Sequence, residues 1–273
     1  MTAANSGSLH CRPRLGLALG SGAALGAAHA GVIQALDEAG IQIDVVAGTS
    51  AGAIIGGGYA AGLTGDELVE LVLAARWSTF ARWTASRRLG LLDPMPMERS
   101  IEDRLGPLRI EDMARPFAAL AFDLRTRSAV SLTAGPLAQA LRASSAVPGL
   151  FPPVYIDGCW LLDGALADSV PVTAARALGA SHVIAVNPAP HSRVRQVRRR
   201  LPLRTANRPA RNADVLLRPD TSGFQRWSPS DTPQLIAAGR RSVERAYDQL
   251  VALALGCAVN ENALIEEPAS SDY

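Results

Sequence analysis

The chain has 273 residues, of which 48% are hydrophobic and 19% are charged. These values point to a globular protein with a sizeable core, built as one large α/β domain or at most two small ones. The formal net charge is only +2, so the overall charge gives no argument for a nucleic-acid partner.

Cysteine and histidine are sparse in this chain. Cys11, Cys159 and Cys257 are scattered, and neither they nor the four histidines have the spacing of metal ligands. We therefore expect reduced cysteines in a cytoplasmic setting, and no bound metal or organic cofactor.

The N-terminal region allows other interpretations. Arginines precede an apolar run that ends in Ala28-His29-Ala30, which imitates a signal peptide with its cleavage site. The stretches 15–36 and 45–63 carry no formal charge and are long enough for membrane spans. Both are rich in Gly and Ala rather than Leu and Ile, so their transfer into lipid would be marginal. We expect them to be buried elements of an α/β core.

Strand-like and helix-like segments alternate along the chain. Short apolar runs predict strands over 15–19, 43–47, 117–123, 129–133, 154–156, 160–162, 182–187 and 215–218. Apolar residues at helical spacing predict helices over 23–39, 51–61, 66–76, 136–143, 172–178 and 232–255. Thr64 and Glu67 form a capping box before the third of these helices. The alternation predicts an α/β protein with a largely parallel sheet.

The predicted organisation is a flexible leader (1–14), one domain (15–256) and a C-terminal tail (257–273). Within the domain, residues 77–96 mix aromatics, arginines and prolines, as in a lid-like or connecting segment. Residues 190–212 hold eight arginines and no acid. This arginine-rich loop is either a solvated mobile loop or a peripheral contact with an anionic membrane or another acidic surface.

The sequence Gly48-Thr49-Ser50-Ala51-Gly52 is the most informative motif. It is a G-x-S-x-G serine placed between a predicted strand and a predicted helix. A serine hydroxyl is a weak nucleophile until it is held and activated, and a tight strand-to-helix turn with small neighbours can hold it. The context therefore favours a nucleophilic Ser50, with Gly48 and Gly52 as the elbow glycines.

The glycine-rich loop Gly20–Gly26 lies where the first strand passes into the first helix. Its amides suit either a dinucleotide pyrophosphate or the oxyanion of an acyl-transfer intermediate. The dinucleotide alternative is weak, because the third glycine comes one residue late and the strand at 43–47 ends without an acidic residue. Carboxyl ends of parallel strands open on one crevice, so we expect this loop to face Ser50.

The histidines are poor candidates for the proton acceptor of Ser50. His182 begins a strand, at the amino edge of the sheet, while His10 and His191 lie in the leader and the arginine-rich loop. His29 falls within the first helix and fits a structural, partly buried residue better than a base. That leaves a carboxylate, and Asp163-Gly164 is either the site of that base or simply a turn.

Four motifs in this order resemble the patatin-like phospholipase family. Gly20–Gly26 is similar to its oxyanion motif and Gly48–Gly52 to its nucleophile elbow. Ala143–Pro153 is similar to the block before its catalytic aspartate, and Asp163-Gly164-Ala165 matches its D-G-[GA] motif. The resemblance runs from about residue 15 to residue 187.

This resemblance implies a three-layer α/β/α fold and hydrolysis of lipid acyl esters by a Ser-Asp dyad, without a cofactor. Ser50 would be the nucleophile and Asp163 its base. The oxyanion donors would be the amides of Gly20, Ser21, Gly22 and Ala23. The chain departs from the family in the loop, with Leu25 where an arginine is usual and with Ser21 and Ala23 in place of glycines. Backbone amides survive these changes, but a charged contact with a lipid head group at residue 25 does not.

The sequence leaves two other functions open. A thioesterase or acyltransferase acting on carrier-bound acyl groups would need the same nucleophile and oxyanion hole. A non-catalytic lipid-binding or partner-binding module is indicated only by Leu25 and the arginine-rich loop. The apolar residues that are candidates to line an acyl channel, or alternatively ordinary core, are Trp77, Phe80, Trp83, Phe151 and Trp160.

Overall fold

The structure, a computed structural model, describes residues 12–75, 82–83, 91–189, 210, 212–224 and 229–256. The predicted tail and nearly all of the predicted leader and arginine-rich loop lie outside these residues. Most of the predicted lid-like segment does as well.

Ten strands and eight α-helices are found within the described residues. The strands are β1 (Leu15–Leu19), β2 (Val45–Thr49), β3 (Arg82–Trp83), β4 (Leu92–Asp93), β5 (Phe117–Asp123), β6 (Ser128–Leu132), β7 (Val154–Ile156), β8 (Cys159–Asp163), β9 (His182–Val186) and β10 (Val215–Leu217). The helices are α1 (Ala27–Glu38), α2 (Ala51–Ala61), α3 (Gly65–Ala74), α4 (Met95–Leu105), α5 (Leu137–Ser144), α6 (Val172–Ala177), α7 (Thr232–Arg245) and α8 (Tyr247–Ala254).

The central sheet has eight strands. Five of its strands are parallel, in the order β10-β9-β1-β2-β5. The alternation of elements predicted a largely parallel sheet but not this order. The hairpin β7–β8 and the strand β6 are antiparallel additions around β5. The parallel half therefore supplies the crevice at its carboxyl end, and the antiparallel half adds a strand that runs back toward that crevice.

Helices cover both faces of the parallel part, which gives the three-layer α/β/α fold expected from the resemblance. On one face Leu17 and Leu19 join an apolar cluster with residues of α1, α2 and α7. On the other face Ala18 packs with residues of α6. Burial on both faces explains why β1 and β2 are continuous apolar runs without alternation.

The capping box is present at the start of α3. Thr64 accepts a hydrogen bond from the amide of Glu67, and the Glu67 side chain accepts one from the amide of Thr64. This confirms the prediction made from those two residue types.

The predicted single helix over 232–255 is wrong, because it is broken at Ala246 (φ −105°, ψ 10°) into α7 and α8. No proline or glycine marks the break. After the break, Leu250 and Leu253 are buried in the same core cluster as β1, so we attribute the break to tertiary packing.

The segment predicted as a lid or connection, 77–96, contains more regular structure than expected. Its described residues include β3, which pairs with β4 in an antiparallel ribbon, and the start of α4. Pro94 and Pro96 lie at the N-cap and first turn of α4, where a proline costs no hydrogen bond. The prolines thus mark a helix start rather than irregular structure.

Within the described ranges, no helix is both long enough and apolar enough to cross a bilayer. The same residues contain no cluster of three or more His, Cys, Asp or Glu side chains that could hold a metal ion.

Candidate active site

Ser50 lies in a strained turn between β2 and α2. Its backbone angles are φ 56° and ψ −123°, a region that residues with a Cβ adopt rarely. The side chain is 8% exposed. Ser50 thus occupies a tight turn between a strand and a helix, the context that the sequence predicted.

The two elbow glycines are required by close backbone approach. A Cβ on Gly48 would lie 2.4 Å from the Cα of Ala53, and a Cβ on Gly52 would lie 2.2 Å from the carbonyl oxygen of Leu19. Real Cβ atoms do not come so near to backbone. The spacing of glycines around Ser50 therefore follows from the packing of α2 against β1 and β2.

Asp163 is in direct contact with the Ser50 side chain. The hydroxyl Oγ of Ser50 donates to Oδ2 of Asp163 over 2.8 Å, and both side chains are buried. The other carboxylate oxygen, Oδ1, accepts the amide of Ala165 at 2.8 Å. One oxygen is thus held by the backbone while the other faces the serine.

The glycine-rich loop lies against the serine turn, as predicted. A Cβ on Gly26 would lie 2.5 Å from the Cβ of Ala51, and the carbonyl of Gly20 is within 2.6 Å of the position of a Cβ on Gly52. The loop and the turn therefore share the crevice at the carboxyl ends of β1 and β2.

The four predicted oxyanion donors are not equivalent. The amide of Gly20 donates to the carbonyl of Val186, and that of Ser21 donates to the carbonyl of Ser169. These two amides are already used to hold the loop. Among the described residues, the amides of Gly22 and Ala23 have no hydrogen-bond partner. The predicted role of oxyanion donor therefore now concerns only the amides of Gly22 and Ala23. Ala23 has a positive φ of 50°.

His29 supports the loop rather than the chemistry. Its Nε2 lies 2.7 Å from the carbonyl oxygen of Gly20. Because a carbonyl only accepts, Nε2 carries the hydrogen and Nδ1 is left as a lone pair, without a partner in the described part of the chain. The residue is fully rather than partly buried, and burial lowers the pKa of His29 to about 4. It is neutral at neutral pH.

His182 lies at the amino end of β9, opposite Leu15, as predicted. Its Nδ1 is 3.2 Å from a carboxylate oxygen of Asp214. His10 and His191 lie outside the described residues. Neither of the two described histidines hydrogen-bonds Ser50, whose hydroxyl is bonded instead to Asp163.

Leu25 points into the protein. It is 2% exposed and lies in an apolar cluster with Ala27 and Leu235, next to Val72 and Phe224. The replacement of the usual arginine at this position therefore fills a core site between the loop and α7.

Of the five residues predicted to line an acyl channel or to belong to the core, the structure describes the side chains of two, Phe151 and Trp160. Phe151 packs at the edge of an apolar cluster beside β8. Trp160 is 49% exposed on the hairpin and contacts Tyr155, with ring centroids 5.0 Å apart. Trp77, Phe80 and the side chain of Trp83 lie outside the described residues.

Sequence reasoning missed Ser144, at the last position of α5. Its hydroxyl accepts the amide of Ser50 at 2.9 Å and donates to the carbonyl of Leu120 at 2.6 Å. The residue belongs to the block Ala143–Pro153 that was matched to the family, and that membership was the only available signal.

The sequence model of one family, described as Patatin-like phospholipase, matches residues 17–176. An uncharacterized NTE family protein of Mycobacterium tuberculosis is 40% identical over 189 residues, which cover 64% of this chain and 49% of that protein. Lysophospholipase NTE1 of Mycosarcoma maydis is 34% identical over 185 residues, which cover 65% of this chain and 10% of that protein. The chain thus spans about half the length, or less, of these relatives.

Among solved structures, VipD from Legionella pneumophila has a similar fold. The TM-score is 0.59 at 14% sequence identity, and the match covers 88% of this chain and 67% of that chain. At this identity the likeness concerns the fold alone.

Proposed function

This chain belongs to the patatin-like phospholipase family, and from that premise we propose that it is a serine hydrolase of lipid acyl esters that works through Ser50 and Asp163. The observation that carries the proposal is the 2.8 Å hydrogen bond from Ser50 Oγ to Asp163 Oδ2, between two buried residues. A hydroxyl paired with a fixed carboxylate meets the geometric requirement for an activated nucleophile.

In the proposed reaction, Ser50 Oγ attacks the acyl carbonyl carbon while its proton moves to Asp163 Oδ2. The negative charge that develops on the carbonyl oxygen is stabilised by the amides of Gly22 and Ala23, which have no other partner among the described residues. The intermediate then collapses, the ester C–O bond breaks, and the leaving alkoxide takes the proton from Asp163. The product of this half is an acyl-enzyme.

Deacylation repeats the steps with water. The water oxygen attacks the acyl carbonyl carbon of the acyl-enzyme while Asp163 accepts a proton from that water. The proton then passes to Ser50 Oγ as the fatty acid leaves. No step needs a redox partner or a metal ion. Because the amide of Ala165 occupies Oδ1, the same oxygen, Oδ2, serves both halves.

A lipid substrate is supported by the relatives rather than by the crevice. One relative is named a lysophospholipase and another, from Drosophila melanogaster, a neuropathy target esterase. Because Leu25 is buried against Leu235, the loop of this chain offers no arginine to a phosphate at that position. From the names of these relatives we propose lipid acyl esters, including lysophospholipids, as the substrate class, bound without a charged contact at residue 25. The cytoplasmic setting and a peripheral contact through residues 190–212 stay predictions.

The proposal is tested with a fluorophosphonate probe, which labels activated serines covalently. We expect labelling of the wild type and of Ser131→Ala, an exposed serine on β6, and none of Ser50→Ala. A wild type that is not labelled, or a Ser50→Ala variant labelled equally, contradicts a serine hydrolase.

A substrate panel then separates the reaction classes. A p-nitrophenyl ester, a lysophospholipid, a two-chain phospholipid and an acyl thioester are supplied side by side to the wild type and Ser50→Ala. Release of fatty acid from the lysophospholipid supports the proposal. Turnover of the thioester alone would favour a thioesterase or acyltransferase. Binding of lipid without turnover by either protein would favour a lipid-binding module.

A further inference from the structure

We infer that two contacts at the end of α5, made by Ser144 and Ala146, set the separation between Ser50 and Asp163, and that Ser144 is a positioning residue for the nucleophile. The inference rests on the proposed function, because it assigns a role within the same reaction. It is carried by two hydrogen bonds that join these two residues to Ser50 and Asp163, and by a third that joins Ser144 to β5.

Ser50 is held through its amide by the hydroxyl of Ser144, a fully buried residue. Since the carbonyl of Leu120 only accepts, the hydroxyl donates its hydrogen to Leu120 (2.6 Å) and uses a lone pair to accept the amide of Ser50 (2.9 Å). One hydroxyl therefore connects β5 to the serine turn, acting as a donor to β5 and as an acceptor to the turn.

Asp163 is held through its amide by Ala146, two residues after Ser144. The carbonyl of Ala146 accepts the amide of Asp163 at 2.9 Å. The segment between the two contacts is itself constrained, because the amide of Ser145 bonds back to Leu141 and that of Ala146 bonds back to Ala143. A short segment that is hydrogen-bonded back to α5 thus contacts Ser50 on one side and Asp163 on the other.

The contact at Ser50 also determines what its amide can do. With its hydrogen directed at Ser144, the Ser50 amide is not an oxyanion donor, and it is instead the anchor that keeps the turn at φ 56°. Loss of Ser144 would leave the oxyanion loop in place but allow the turn to relax. Misplacement of a nucleophile by about 1 Å costs on the order of 10² in rate. We therefore expect an effect on kcat and not on KM.

The experiment compares Ser144→Ala with Ser145→Ala. The two serines are adjacent and buried, but the Ser145 hydroxyl has no hydrogen-bond partner among the described residues. We expect kcat for a p-nitrophenyl ester to fall by about 30- to 100-fold in Ser144→Ala, with KM within about twofold, and both constants to stay within about twofold in Ser145→Ala. Ser144→Thr, which keeps the hydroxyl, should recover most of the lost kcat.

A second measurement does not depend on activity. Hydrogen exchange of the Ser50 amide should accelerate at least tenfold in Ser144→Ala and stay unchanged in Ser145→Ala, at a temperature where circular dichroism shows both proteins to be folded. If Ser144→Ala does not fold, Ser144→Cys, which is close in shape but a weaker hydrogen-bonding group, takes its place in both measurements with the same expected direction.

The inference is overturned if the Ser50 amide exchanges equally in the Ser144 and Ser145 variants, or if kcat falls only in proportion to the folded fraction. Failure of the proposed function has a different signature, namely a wild type without hydrolysis or probe labelling. In that case the exchange measurement still decides whether Ser144 holds the turn.

Discussion

Thr49 and Asp163 end two strands that run toward each other along one edge of β5. Thr49, the last residue of β2, pairs with Leu120, and Asp163, the last residue of β8, pairs with the next residue, Ala121. Strand β6 pairs with the same stretch of β5, so it must occupy the opposite edge. Because β2 is parallel and β8 antiparallel to β5, their carboxyl ends meet. This brings together Ser50 and Asp163, which are 113 residues apart in the chain.

Replacing Asp163 with asparagine keeps the shape of the side chain and removes its ability to take a proton. We expect kcat for a p-nitrophenyl ester to fall by about 10² to 10⁴, with the unfolding midpoint in urea nearly unchanged. The matched control is Asp157→Asn, in the exposed turn of the same hairpin (φ 46°), where asparagine is well tolerated. A loss of less than about tenfold for Asp163→Asn would remove Asp163 from the role of base.

Gly52→Ala tests the close packing of the serine turn. Its new methyl group would lie 2.2 Å from the backbone carbonyl of Leu19, which cannot rotate away. We expect the free energy of unfolding to fall by about 3 kcal/mol or more, together with a loss of probe labelling at Ser50.

Gly57→Ala, in the same helix, is the control for Gly52→Ala. A Cβ there would meet only side-chain ends, those of Leu141 at 3.2 Å and Leu137 at 3.5 Å, and no backbone atom is among its three nearest neighbours. The gain in helix propensity, about 1 kcal/mol, should offset this contact. Equal unfolding free energies for the two variants would show that the backbone near Leu19 adapts more easily than the structure indicates.

Ala23→Gly is expected to stabilise the protein. Ala23 has a φ of 50°, which costs a residue with a Cβ about 1–2 kcal/mol. Glycine avoids that cost but gains freedom in the unfolded chain, so we expect a net increase of roughly 0.5–1 kcal/mol in the free energy of unfolding. The amide is kept, so the kcat/KM should not fall.

Ala24→Gly is the matched control, since Ala24 does not have a positive φ. There the same substitution should lower the unfolding free energy by about 0.5–1 kcal/mol. Urea unfolding with an unchanged m-value measures both variants. Changes of the same sign in the two variants would contradict the assignment of strain to Ala23.

His29 is expected to make stability depend on pH. Burial lowers its pKa from 6.5 to about 4, so between these values the unfolded chain binds a proton that the folded protein does not. The contribution of neutral His29 to the free energy of unfolding is therefore fully present above pH 6.5 and is lost as the pH falls toward 4. Between pH 7.5 and 4.5 this loss should amount to about 2–3 kcal/mol.

The variant His29→Gln keeps a side-chain N–H for the carbonyl of Gly20 but does not titrate. Carboxylates titrate in both proteins, so the quantity to compare is the difference in unfolding free energy between wild type and variant at the two pH values. We expect the variant to lose less stability on acidification. Parallel pH profiles for the two proteins would mean that His29 titrates normally in the fold.

Many local features were correctly predicted from the sequence. The capping box at Thr64, the strand-to-helix turn at Ser50 and the apolar strands depend on residues that lie within a few positions of one another, and local sterics and hydrogen bonding decide them. Features without a local signal were missed. The break at Ala246 contains no helix breaker and follows from the burial of Leu250 and Leu253.

The sequence by itself determined the class of fold and singled out Ser50 and Asp163 as candidate nucleophile and base, because residue type and motif spacing carry that information. Only the tertiary structure decided which side chains meet and which backbone amides already have a partner. Strand pairing places Asp163 beside Ser50, and long-range hydrogen bonds occupy the amides of Gly20 and Ser21. A backbone N–H is chemically the same at every such position, so its availability depends on which distant carbonyl or hydroxyl the fold brings to it.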